Sequence, residues 1–122
     1  MTAYATPDQV LEAYIEGSRA LDAERLRTCF RPDAVMNGYL RGRLLLGGPE
    51  PFFQDIAGMK AGGVDHSAFS AAVTSLAVNG NIAQGAVRME KLAGQLDFQD
   101  YFHLVRDDDG WRIISKTFSS LD

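Results

Sequence analysis

The sequence predicts an α+β fold in which helices pack on one face of a curved, mainly antiparallel sheet and enclose a pocket. Helical patterns dominate the first half of the chain, and strand patterns dominate the second half. Tight turns that contain glycine join the later strands, as in an antiparallel meander. The 122 residues have the usual size of one domain, so we expect residues 1–122 to form a single unit.

Composition argues against several classes of partner. The 12 Lys and Arg residues are outnumbered by 16 Asp and Glu residues, which gives a net charge of −4. A nucleic-acid binder needs a basic face, so this class is not expected. With no apolar N-terminal signal segment, no long apolar run and one cysteine, a cytoplasmic protein without membrane contact is expected. Cys29 precedes Phe30 and is interpreted as a small buried hydrophobe rather than a catalytic thiol.

Three helices are expected. The first begins with Thr6 as N-cap, Pro7 at the first helical position and Gln9 closing a capping box. Its predicted buried face consists of Val10, Leu11, Tyr14, Ile15 and Ser18. A second, short helix has Asp22 as its N-cap and is expected to end at Pro32, because proline disfavours helical geometry in the residue before it. A third helix is expected over about residues 50–59, with Phe52, Phe53 and Ile56 on its buried side.

The remaining segments predict strands. Alternating or β-branched apolar residues bounded by glycine turns are typical of them. The expected strands are residues 34–40, 43–46, 66–79, 82–92, 96–106 and 111–120.

Asp100 breaks the pattern of the strand over residues 96–106. Side chains alternate between the two faces of a strand, and the face rich in apolar groups carries Leu96, Phe98, Asp100, Phe102 and Leu104. A lone buried carboxylate is costly unless it is paired, neutralised or solvated in a cavity. Burial should raise its pKa, as happens at carboxyls that bind ligands or do chemistry. The alternative is that Asp100 faces a small wet cavity or hydrogen-bonds a neighbouring helix or loop.

The adjacent strands are expected to complete the pocket wall. On residues 82–92 the apolar face consists of Ala83, Gly85, Val87 and Met89. On the last strand, strict alternation puts Trp111, Ile113, Ser115 and Thr117 on one face, which would suit a partly polar cavity wall. The same alternation puts Arg112, Ile114, Lys116 and Phe118 on the opposite face.

The order of these elements resembles that of nuclear transport factor 2-like domains, also called SnoaL-like or cystatin-like. Residues 34–39 with Gly42, residues 78–80 with Ala83, and above all residues 100–105 with 110–118, look like the "putative lumazine-binding" branch of that superfamily. The resemblance spans nearly the whole chain. It implies a cone-shaped, cystatin-like fold around a small-molecule pocket, in a family whose members mostly have no assigned reaction.

A more distant resemblance is to ketosteroid isomerase. In that enzyme a tyrosine and a protonated aspartic acid donate hydrogen bonds to an enolate oxygen, and a second aspartate moves the proton. The resemblance places Tyr14 and Asp100 at the two donor positions. It places Gly38, flanked by Asn37 and Tyr39, where the proton-moving aspartate would stand. The donor pair is therefore expected to be present and the base absent, with His66 as the candidate replacement.

The candidate site combines these residues. Tyr14 and Asp100 are the catalytic candidates. The ligand-binding candidates are Met36, Asn37, Tyr39, His66, Val87, Met89, Phe98, Phe102, Trp111 and Ser115. The expected ligand is a small apolar or aromatic oxygenated molecule. Two histidines make no convincing metal site and no cofactor motif is visible, so neither metal nor cofactor is expected.

The opposite face of the sheet is expected to form a homodimer, because it is too apolar to face water. The expected contact residues are Tyr101, His103, Val105, Ile114 and Phe118. Three hypotheses for function stay open. The pocket is a binding module, or an isomerase, dehydratase or cyclase that polarises a carbonyl with Tyr14 and Asp100. In the third, the chain is a non-catalytic dimerisation domain.

Overall fold

The computed structural model describes residues 4–121 as three helices packed against one six-stranded sheet. The helices are α1 (Pro7–Ala20), α2 (Ala23–Cys29) and α3 (Glu50–Ala61). The strands are β1 (Phe30–Leu40), β2 (Arg43–Leu45), β3 (Ser70–Asn79), β4 (Ile82–Leu92), β5 (Leu96–Asp107) and β6 (Gly110–Ser120). The strand order is β2-β1-β6-β5-β4-β3, and all neighbouring pairs are antiparallel except β1 and β6. The predicted α+β fold is confirmed.

The local signals for α1 and α2 act as predicted. The Thr6 hydroxyl accepts a hydrogen bond from the Gln9 N–H at 3.3 Å, and the Asp22 carboxylate accepts one from the Arg25 N–H at 3.1 Å. The Gln9 side chain closes back on the Ala5 N–H at 2.9 Å, one residue before the cap. The contacts to the Gln9 and Arg25 N–H groups each give a partner to an amide that the helix itself leaves unbonded. The predicted inward face of α1 is buried.

The second helix ends earlier than Pro32 predicted. Phe30 already has extended geometry, with φ −110° and ψ 144°, and β1 begins there. Pro32 therefore lies inside a strand, where it would normally remove a ladder hydrogen bond. It falls between Phe30 and Val35, where the pairing of β1 with β6 shifts register. The missing N–H is tolerated because the ladder is already interrupted at this point.

The long strand predicted from residue 66 begins only at Ser70. Residues before it form a turn in which the Phe69 N–H donates to the His66 carbonyl at 3.2 Å. The Phe69 side chain is buried and stacks on the His66 ring at a centroid distance of 4.7 Å. Packing of these two rings, rather than sheet pairing, fixes this segment.

A bulge in β6 overturns the predicted assignment of its two faces. His103 pairs with Ser115 and Leu104 pairs with Ile113, so β6 holds one extra residue at this point. Such an insertion moves every later side chain to the other face. Trp111 and Ile113 are buried on the inner face, and after the bulge the buried positions are Lys116 and Phe118.

None of the helices within residues 4–121 is long and apolar enough to cross a membrane.

Candidate functional site

An apolar cavity of about 160 Å³ lies between the inner face of the sheet, α1 and α3. Its wall is built mostly from Met, Leu and Phe side chains. The polar side chains that line it are Tyr14, Asp55, Asp100 and Lys116. Its lining residues at the solvent side, Leu45, Leu46, Pro51 and Asp55, are exposed. The cavity therefore opens between the segment after β2 and the start of α3.

The closed end of the cavity holds three polar side chains that we call the polar cluster: Tyr14, Asp100 and Lys116. They come from α1, β5 and β6, and their exposed fractions are 1%, 1% and 4%. Side chains of this kind are rarely buried so completely unless they bind one another. The polar cluster therefore places an acidic, a basic and a hydroxyl group at the closed end of an otherwise apolar cavity.

Tyr14 donates a hydrogen bond from its hydroxyl to Asp100 Oδ2 at 2.7 Å. The ring of Tyr14 is held edge-on by Phe102, at a centroid distance of 4.9 Å, and by Phe30 at 6.4 Å. Burial raises the pKa of Tyr14 well above its usual value, and the neighbouring Asp100 carboxylate raises it further. Tyr14 therefore remains a protonated donor across the physiological pH range.

Lys116 completes the polar cluster from the other side of Asp100. Its Nζ lies 3.9 Å from Asp100 Oδ2, which is close enough for an ion pair but too far for a hydrogen bond. The same nitrogen lies 4.1 Å from the centre of the Phe52 ring, 5.0 Å from that of Tyr14 and 5.4 Å from that of Phe118. Aromatic faces attract a desolvated ammonium group. Three rings and one carboxylate thus replace the water that the amine loses.

Burial shifts the pKa values of Asp100 and Lys116 toward one another. It raises the pKa of Asp100, while Lys116 and the Tyr14 hydrogen bond act in the opposite direction. It lowers the pKa of Lys116, against the attraction of Asp100. The pair is neutral overall whether its shared proton lies on nitrogen or on oxygen. A ligand that brings its own proton donor or acceptor can therefore change where that proton lies.

Five of the sequence-predicted site residues line the cavity. They are Tyr14, Met36, Met89, Phe98 and Asp100. Local periodicity located them, since each lies on the inward side of a regular helix or strand.

The other predicted ligand-binding residues lie away from the cavity wall. Val87, Phe102 and Trp111 are buried in the core behind it. Asn37 and Tyr39 follow the outward side of β1, because Met36 and Leu40 take the inward side. Ser115 lies on the outward side of β6 after the bulge, and its hydroxyl is 3.3 Å from His103 Nδ1.

His66 does not supply a base to the cavity. Its Nδ1 accepts a hydrogen bond from the Ala93 N–H at 3.1 Å, and its Nε2 lies 3.0 Å from the Ser18 carbonyl oxygen. Both ring nitrogens are therefore engaged by backbone groups away from the cavity. His66 is a clamp between α1, the turn before β3 and the end of β4.

The packing around Gly38 leaves no room for a side chain that could act as a base. It shares the inward side of β1 with Met36 and Leu40. A Cβ atom at this position would lie 2.7 Å from atoms of the Phe118 ring and would collide with the Phe118 carbonyl oxygen. Phe118 therefore occupies the space that a side chain at the position of the isomerase's proton-moving aspartate would need.

Sequence reasoning missed Lys116 and Phe118, both of which it placed on the outer face. A signal for the bulge is present in the last strand. Trp111 and Ile113 have odd numbers whereas Phe118 has an even number, so no unbroken alternation can bury all three. The contribution of Phe52 to Lys116 was also missed, because it depends on how α3 docks on the sheet.

Two further features concern the cysteine and the arrangement of possible metal ligands. Cys29 is buried, and this burial raises the pKa of its thiol to about 11, so it is protonated at neutral pH. Within residues 4–121 no group of three or more His, Cys, Asp or Glu side chains is arranged to hold a metal ion.

Comparison with known proteins identifies the family. The family model described as "Putative lumazine-binding" matches residues 4–119. The chain belongs to this family. No curated protein matches the chain at a significant level.

Solved structures share the fold of this family member. An NTF2-like protein of unknown function from Shewanella baltica OS155 is 24% identical, with 94% of this chain and 90% of that chain covered and a TM-score of 0.81. A domain of unknown function with a cystatin-like fold from Nostoc punctiforme is 17% identical, with coverage of 93% and 74% and a TM-score of 0.71. A ketosteroid isomerase-like protein from Erwinia carotovora atroseptica is 14% identical, with coverage of 94% and 93% and a TM-score of 0.69. At these identities the likeness establishes the fold alone.

The polar cluster predicts a pH-dependent stability loss in Lys116→Met. This variant leaves the Asp100 carboxylate buried without its cation, which should cost about 3–5 kcal/mol of unfolding free energy near pH 7. The raised pKa of Asp100 means that the folded state binds more protons than the unfolded state above pH 3.8. Stability of the variant should therefore rise as pH falls through that window. Urea unfolding at about pH 7 and about pH 4.5 measures both values.

The matched control is the double variant Asp100→Asn/Lys116→Met. It keeps an acceptor for Tyr14 and removes both charges, so it should recover most of the loss near pH 7. An equal loss for Lys116→Met at both pH values would contradict the prediction.

Proposed function

We propose that the cavity binds a small apolar or aromatic oxygenated molecule, with an oxygen atom of the ligand directed at the polar cluster. One observation carries the proposal: hydrogen-bonding and charged groups lie at the closed end of an apolar cavity that is open at the other end. Binding sites for small molecules combine an apolar wall with a few convergent polar groups in this way. Buried donors also discriminate strongly against ligands that leave them unpaired.

The cavity volume restricts the size of the part that is bound. At about 160 Å³, it is close to the roughly 150 Å³ engineered cavity that accepts benzene. A single aromatic ring with one or two oxygen substituents fits this space. A larger ligand would extend past Leu45 and Leu46 into solvent. The family description makes lumazine, a bicyclic molecule with two carbonyl oxygens, a natural probe.

An isomerase, dehydratase or cyclase that polarises a carbonyl with Tyr14 and Asp100 is the alternative. One observation favours it: Asp55 on α3 is a second carboxylate in the cavity wall. Asp55 is exposed at the mouth and would have to move the proton, because Gly38 has no side chain and His66 is engaged elsewhere. Ligand binding requires no proton-moving group, so binding is the better-supported function.

We also propose that the outer face of the sheet forms a homodimer interface. Tyr101 is 60% exposed, and Val35 and Tyr39 are about half exposed on strands of the same sheet. Phe118, expected in this interface, is buried on the inner face instead. His103, Val105 and Ile114 remain among the proposed contacts. A purely structural dimerisation domain would use this face and leave the cavity without a role.

Ligand binding is tested by a thermal-shift and calorimetry screen with phenols, aromatic ketones and lumazine. We expect wild-type protein to be stabilised by at least one of these compounds. Asp100→Asn should bind the same compound about tenfold or more weakly, which corresponds to loss of roughly 1.4 kcal/mol. Val78→Ala on β3, an exposed position outside the cavity wall, is the matched control and should bind normally. Equal affinity in wild type and Asp100→Asn would remove the polar cluster from the site.

The homodimer is tested by sedimentation at micromolar concentration. Wild-type protein should sediment as a dimer, and Tyr101→Glu should shift it toward monomer because a buried unpaired charge is costly. Val78→Glu places the same charge at an exposed position opposite the inward Ala83 and should leave the dimer intact. A monomeric wild-type protein would refute the interface.

A further inference from the structure

We propose that Lys116 captures small aldehydes or ketones in the cavity as a Schiff base, which makes the pocket a reversible covalent site for carbonyl compounds. The inference deepens the proposed function and rests on it, since the carbonyl compound must first enter the cavity. It assigns a covalent role to the Lys116 amine, whereas the binding proposal needs only hydrogen bonds between the polar cluster and an oxygen atom of the ligand.

The position of the amine supports this role. Lys116 belongs to the cavity wall, and its Nζ lies 3.9 Å from Asp100 Oδ2, outside hydrogen-bond distance. Asp100 Oδ2 is already engaged by the Tyr14 hydroxyl at 2.7 Å. A lysine that served only to neutralise Asp100 would be expected to hydrogen-bond it directly. Here the ammonium group lies 4.1 Å from the centre of the Phe52 ring and makes no direct hydrogen bond to Asp100, so a carbonyl compound in the cavity can approach the nitrogen.

Two other lysines offer internal comparisons. Lys60 is exposed, and its Nζ donates to the Ala20 carbonyl at 3.1 Å. Lys91 is exposed on β4. Neither lines the cavity. Lys116 differs from both in lying among aromatic rings with a proton-accepting carboxylate beside it.

The reaction balances within the polar cluster. Lys116 first passes one proton to Asp100, and the nitrogen lone pair then forms a C–N bond to the carbonyl carbon. The C=O π electrons move to oxygen, which takes up the proton that the newly bonded nitrogen releases, giving a neutral carbinolamine. The carbinolamine loses its hydroxyl group as water, with the proton from Asp100, and a C=N bond forms. Ammonium, carboxylate and carbonyl compound thus give iminium, carboxylate and water, without any oxidant or reductant.

Charge conservation makes this step compatible with a dry cavity. The iminium carries the same single positive charge as the ammonium that it replaces, and it lies beside the same Asp100 carboxylate. No net charge is created in a medium where an isolated ion is costly. The Tyr14 hydroxyl can donate to the oxygen of the carbinolamine or keep its bond to Asp100.

Burial also favours the neutral amine that the step requires. It lowers the pKa of Lys116, and each unit of lowering multiplies the neutral fraction at neutral pH about tenfold. Desolvated lysines with lowered pKa values are the ones that form Schiff bases. The titratable side chains that share the cavity with Lys116 are Asp100 from β5, Tyr14 from α1 and Asp55 from α3.

Reductive trapping tests the inference in the intact protein. Wild-type protein is incubated with benzaldehyde and sodium cyanoborohydride near pH 7, and peptide mass spectrometry locates the benzyl adducts. We expect the adduct at Lys116 to exceed those at Lys60 and Lys91 by about tenfold or more, because the Lys116 amine is desolvated beside a carboxylate that can accept its proton. In Lys116→Arg, which keeps a cation beside Asp100 but forms no imine under these conditions, the excess adduct should disappear. Lys60→Arg and Lys91→Arg should retain it.

A second arm separates failure of this inference from failure of the binding proposal. Benzyl alcohol and phenol have the size of benzaldehyde but cannot form an imine, and their binding is followed by thermal shift. If either binds and protects Lys116 from trapping, both proposals are supported. If phenol binds but benzaldehyde labels the three lysines equally, the Schiff base is refuted and the pocket stands. If neither binds and labelling is equal, both proposals are refuted.

Discussion

The structure depends on one buried contact, in which the Asp100 carboxylate accepts a hydrogen bond from Tyr14 and lies 3.9 Å from the Lys116 amine. Taking two charges out of water costs several kcal/mol for each ion, and only good geometry and additional partners offset that cost. Asp100 has Tyr14 as its additional partner, and Lys116 has three aromatic rings as its additional partners. The contact joins α1, β5 and β6. It also keeps the closed end of an otherwise apolar cavity polar.

The bulge in β6 is what brings the amine to this place. With an unbroken alternation, Ser115 would face the interior and Lys116 would point outward. One extra residue between the pairs formed by Ile113 and Ser115 exchanges the two faces. Phe118 turns inward with Lys116 and fills the space beside Gly38 that a larger side chain would need. The same irregularity therefore supplies a cation to the cavity and removes room for a carboxylate base on β1.

Much of the fold could be predicted because its signals are local. The caps at Thr6 and Asp22, the glycine turns and the inward face of β5 are read from neighbouring residues, and the last of these led to Asp100. The site role of Tyr14 came from the resemblance to ketosteroid isomerase. Lys116 could not be read in this way, because the register of β6 depends on its pairing with β5. Asn37 and Tyr39 are site candidates only because they flank Gly38 in sequence. Alternation along β1 directs both side chains outward. His66 was placed in a strand, whereas its ring contacts fix a turn.

The central claim is that burial moves the proton affinities of Asp100 and Lys116 toward each other. The most direct measurement is an NMR titration that follows the Asp100 carboxyl carbon and the Lys116 ε-carbon in the folded protein. The account predicts that Asp100 titrates above its ordinary pKa of 3.8 and that Lys116 titrates below 10.5. An Asp100 pKa below 3.8 together with a Lys116 pKa above 10.5 would indicate a solvated ion pair and would contradict the account.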